Sequence, residues 1–90
     1  MTVDEKIFTN AKAMQQLMDA VSLHKKLSTL VIEMEKDFGK QNIMVAIAEN
    51  EKREAKENLD RVVQEYKREA RECGMLEECI NRVIQQIEEA

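Results

Sequence analysis

The ninety-residue chain has no proline and no tryptophan, only two glycines, one histidine and three aromatic side chains. Strand-rich folds need frequent turns built from glycine, proline and their like, so this scarcity excludes a sandwich or barrel. Nor is there an apolar stretch near the ~20 residues that cross a bilayer. The N-terminus, Met1-Thr2-Val3-Asp4-Glu5-Lys6, lacks the basic start and apolar run of a secretory signal. The sequence therefore predicts a cytoplasmic protein with no membrane partner.

The residues needed for chemistry are equally sparse. Cys73 and Cys79 lie six apart, which matches no zinc-binding spacing, and two thiols cannot close a tetrahedral site. His24 stands alone, outside any Glu-x-x-His or His-x-x-x-His pattern, and is read as a polar residue that fixes register in a helix interface. The glycines are 35 residues apart, so no glycine-rich loop can cradle a phosphate. No catalytic residue, cofactor or metal is expected, and the chain is predicted not to be an enzyme. Net charge is -4: residues 1–40 carry six acids and six bases, residues 41–90 twelve acids and eight bases. That balance repels a phosphate backbone, so no nucleic-acid partner is expected.

What the sequence does contain is helical periodicity. In the last third, Leu59, Tyr66, Cys73, Ile80 and Ile87 recur every seven residues, as do Ala55, Val62, Glu69, Leu76 and Val83. The two rows alternate by steps of four and three, which is the stripe by which one helix lies against another. Val63, Ala70 and Ile84 widen that stripe toward the geometry of a bundle. Glu69, set in the row between Val62 and Leu76, is expected near its rim, because an unpaired buried carboxylate is costly.

Two apolar sets divide the first third. Val3, Ile7, Ala11, Met14, Leu17, Met18 and Val21 share one face; Leu23, Leu27, Leu30, Val31, Met34 and Phe38 share another, roughly 140° round the helix at ~100° per residue. Either the helix kinks near Ser22 or one helix meets two different neighbours. Thr2 and Glu5 have the spacing of a capping box, which places the helix start near residue 3. Gly39 suits a left-handed C-terminal cap, and Gly39-Lys40-Gln41-Asn42 is short enough to return the chain antiparallel. Ile43-Met44-Val45-Ala46-Ile47-Ala48 is apolar on every side and is expected to be buried on every side.

The predicted fold is all-α: one domain over residues 1–90, an antiparallel hairpin of long helices with coiled-coil character, completed into a bundle by self-association. Helices are expected at about 3–38, with a kink near 22 as one option, and about 42–88. A break at Gly74 is the alternative, but the seven-residue rows pass through it in phase, and packing can override the ~1 kcal/mol cost of a helical glycine. A continuous second helix would reach ~70 Å against ~53 Å for the first. Its overhanging end would then need cover from outside the hairpin, which marks Leu59, Val62, Tyr66, Cys73, Leu76, Ile80, Val83, Ile84 and Ile87 as candidate interface residues. The predicted function is protein–protein interaction through helix pairing, as an assembly adaptor, scaffold or small chaperone. Its expected partners are a second copy, in a homodimer or higher oligomer, or another helical protein. The alternative is a small acidic inhibitor, for example phage-encoded, that blocks a functional surface of an enzyme or nucleic-acid-binding machine.

Overall fold

A computed structural model describes residues 3–90, with side chains from Asn10 onward. Thr2 and the side chain of Glu5, the two members of the expected capping box, lie outside these. Among the described residues all regular structure is helical: α1 (Val3–Phe38), α2 (Ile43–Glu72) and α3 (Glu77–Glu89). Helices α1 and α2 form a long antiparallel hairpin. Helix α1 runs through Ser22 without interruption. Thirty-six residues at ~1.5 Å rise give ~54 Å, matching the 53 Å long axis of the molecule, so there is no kink. The rotated apolar stripe therefore belongs to one helix facing two directions.

The turn at the hairpin tip is built by local chemistry. Gly39 adopts φ +82°, a left-handed conformation open to glycine without strain, and its N–H donates to Glu35 O at 2.9 Å. Asn42 is extended, and its side-chain oxygen accepts from Met44 N at 2.8 Å, capping α2.

The second helix does not continue through Gly74. It ends at Glu72, and Gly74 takes φ +87°. Gly74 N donates to Arg71 O and Met75 N to Ala70 O, both at 3.0 Å, the paired bonds of a Schellman cap. Arg71 then bridges the break to Glu77, with Nε and Nη2 donating to the two carboxylate oxygens at 3.0 and 2.6 Å. This ion pair holds the Glu77 carboxyl below its ordinary pKa and the Arg71 guanidinium above its own. Both groups are exposed, so the pair orients the loop more than it stabilises the fold.

Helix α3 folds back along α1. Asn10 Nδ2 lies 4.0 Å from Met75 Sδ at its start, and Lys25 Nζ donates to Ala90 O at 2.5 Å at its end. The main core is where three helices meet: Ala13, Leu17, Ala20 and Val21 of α1, Leu59, Val62, Tyr66 and Ala70 of α2, and Ile80 and Ile84 of α3. Burying an Ile or Leu side chain contributes about 1.5–3 kcal/mol, which is why so short a helix docks. The alanines let the backbones approach closely. Tyr66 is fully buried, which pushes its hydroxyl pKa up, and Oη has no hydrogen-bond partner among the described residues.

Candidate functional site

Helix α3 is only thirteen residues long, so it covers one half of the hairpin. The base half comprises residues 10–22 and 59–90; the tip half, residues 23–58, has two helices and no third. Its buried apolar residues are few and small: Val31, Val45, Ala48 and Ala55. Its seam also admits His24, Glu35 and Lys52, all half-buried.

The residues expected at an interface are instead drawn mostly into the chain's own core. Leu59, Val62, Tyr66, Ile80 and Ile84 are buried, Val83 and Ile87 pack half-buried against them, and Cys73 is half-buried at the end of α2. Only Leu76 is open, at 72% exposure. The physical reason is the break at Gly74: with the chain reversed there, no overhang remains, and the α3 stripe meets α1 and α2 of the same molecule. Glu69 is half-buried, and Cys79 is exposed in the first turn of α3.

Exposed apolar surface appears elsewhere. Nine large apolar side chains are exposed among the described residues, and seven lie in the tip half: Leu23, Leu30, Ile32, Phe38, Ile43, Met44 and Ile47. The run Ile43–Ala48 is not buried all round, since only Val45 and Ala48 face α1; Ile43 is 73% exposed. The change of stripe at Ser22 was the sequence signal for this surface. Its first set turns Leu17 and Val21 inward, and Val21 shares a groove with Ile87 of α3. Leu23, about 200° round the helix from Val21, opens on the opposite side, in a groove with Gln16, Asp19, Asn58 and Arg61. Leu30 and Met34 continue that side along α1, and Met44 and Ile47 continue it along α2.

On the α3 side the tip half sets charged groups around Val31 and Ile32. There a groove of about 460 Å³ is lined by His24, Val31, Ile32, Glu35, Glu49, Lys52, Arg53 and Lys56. Glu49 is hydrogen-bonded to Glu35, and this contact between two carboxyls holds its pKa above the ordinary value, with Lys52 and Lys40 opposing. Among the described residues no three His, Cys, Asp or Glu side chains cluster as metal ligands. No helix is long and apolar enough to cross a membrane. No family model, curated protein sequence or solved structure matches the chain.

Proposed function

We propose that the chain is a non-enzymatic protein–protein interaction module, an adaptor, scaffold or small chaperone that works by pairing helices. One observation carries this reading: seven large apolar side chains are exposed on the half of the hairpin that α3 leaves uncovered. Exposed apolar side chains concentrated in one half of a small protein mark a region where something binds. Its form, two long antiparallel helices with apolar flanks, suits another helix laid alongside.

A photo-crosslinking residue placed at position 30 or 47 tests the reading, with the exposed Gln85 on α3 as control. The expected result is a discrete cross-linked helical protein, or a second copy, from positions 30 and 47 and nothing comparable from 85. Equal cross-linking from all three, or none from any, overturns it. Leu30→Glu with Ile47→Glu should abolish the cross-link at a neighbouring position while keeping helicity, because both residues are already exposed and surface changes cost within about 0.5 kcal/mol.

A further inference from the structure

We infer that α3 also docks on a second copy of the chain: α2 and α3 straighten through Gly74 into one helix, and each copy's α3 replaces the other's in the three-helix core. Two observations carry this. The seven-residue rows cross the break in phase, Tyr66, Cys73 and Ile80 in one and Glu69, Leu76 and Val83 in the other, and Gly74 belongs to neither. Straightened, residues 43–89 therefore keep one stripe on one face. The break is also short, Cys73 to Leu76, and short hinges favour exchange of an element between copies. Direction permits it as well. Docked α3 runs parallel to α1, from the base of the hairpin toward the tip, so a straightened α3 runs outward from that base. A second copy receives it with its own base adjacent and its tip pointing away. Both neighbours of the long helix then lie on its striped face, and a twofold axis near Gly74 makes every contact twice.

Ile80 and Ile84 bury against Leu17, Val21 and Tyr66 whether those belong to the same chain or to the second copy. The burial that favours the turn in a lone chain therefore cancels between the two states. What remains is local. The left-handed cap at Gly74 is exchanged for a helical glycine, and the Arg71–Glu77 pair is lost, because residues six apart on one helix do not share a face. Arg71, Glu72, Glu77 and Glu78 around the hinge are all exposed, so solvent screens their rearrangement. Concentration then decides between the states. The exchanged dimer is roughly twice as long as the 53 Å hairpin and carries a tip half at each end, so it presents the exposed apolar side chains of the tip twice. It neither covers that surface nor depends on what binds there.

Gly74→Ala tests the exchange in the full chain. A Cβ there meets nothing within 4 Å, so the substitution acts on the backbone alone, straining the left-handed cap and favouring the helix. Each hinge should shift by roughly thirtyfold, and dimerisation, with two hinges, on the order of a thousandfold. Light scattering after size exclusion should show a Gly74→Ala dimer at concentrations where the wild type is mostly monomeric. Hydrogen exchange along residues 77–89, raised in the dilute variant, should fall again as the dimer forms. Lys25→Cys with Ala90→Cys, in a chain carrying Cys73→Ser and Cys79→Ser, reports which copy receives α3, because Lys25 Nζ and Ala90 O are in contact. A bis-maleimide should join these positions within one chain in the monomer and, by mass spectrometry, between light and isotopically heavy chains in the dimer. A Gly74→Ala chain that is helical yet monomeric at high micromolar concentration overturns the exchange, as does a dimer whose link stays within each chain. If Gly74→Ala does not fold, the wild type refolded at millimolar concentration decides. It should give the between-chain link, and a flexible insertion of about four residues after Gly74 should abolish it. Equal between-chain linking in both chains, or in neither, overturns the exchange.

Discussion

The two halves of the hairpin share helices α1 and α2 but not a third neighbour, and almost every difference between them follows from that. In the base half, Leu17, Tyr66 and Ile80 are fully buried because three helices enclose them. In the tip half two helices can bury only what lies on their mutual seam, so Val31 and Val45 are covered while Ile32, Ile43 and Ile47 face outward. Two helices make a seam and three make a core. The base half therefore carries most of the folding free energy, and the tip half leaves large apolar side chains exposed.

Ile80→Ala should show the largest effect on stability, because it removes a fully buried side chain where α3 meets the hairpin. The expected loss is about 2–5 kcal/mol by chemical denaturation, whereas Ile47→Ala in the tip half should stay within about 0.5 kcal/mol. Similar losses at both positions would erase the distinction between the halves.

The two glycines sharpen the comparison at a smaller scale. Both have left-handed φ, and a Cβ added to either meets nothing within 4 Å, so alanine costs only backbone strain, about 1–2 kcal/mol. Their consequences should nevertheless differ. Gly74→Ala works against the reversal that docks α3, and should increase hydrogen exchange along residues 77–89; Gly39→Ala should leave α3 protection unchanged.

The smallest expected effect is electrostatic and belongs to the tip. Glu49 has a raised pKa when folded because Glu35 faces it, so ionised Glu49 disfavours the fold. That cost is fully present above its folded pKa and vanishes as pH falls below the ordinary value of 4.5. Glu49→Gln should therefore raise the melting temperature slightly at pH 7 and make no difference below pH ~4. A variant less stable than the wild type at pH 7 would show that the two carboxyls do not oppose each other.

The hairpin itself was legible in the sequence, because its determinants are local: unbroken helical periodicity, Gly39 where the chain must turn, and a connection too short for anything but reversal. The candidate surface was only half legible. Its mark was the rotation of the apolar stripe between Val21 and Leu23, which a single helix wheel reveals but cannot assign to a neighbour. The heptad rows misled at Gly74 because α2 and α3 each carry a helical stripe, and the four residues between them happen to keep the rows in phase.

Sequence alone determined that the chain is helical, where α1 ends, and that nearly all its polar surface is of mixed charge, since these depend on neighbours within a few residues. Only the tertiary structure decided whether Gly74 is spanned or ends a helix. Locally the choice is close, a glycine in a helix costing ~1 kcal/mol and a left-handed cap satisfying the freed carbonyls in return. Burial of Ile80 and Ile84 against Leu17, Val21 and Tyr66 contributes about 1.5–3 kcal/mol for each isoleucine, and that long-range term settles it in favour of the turn.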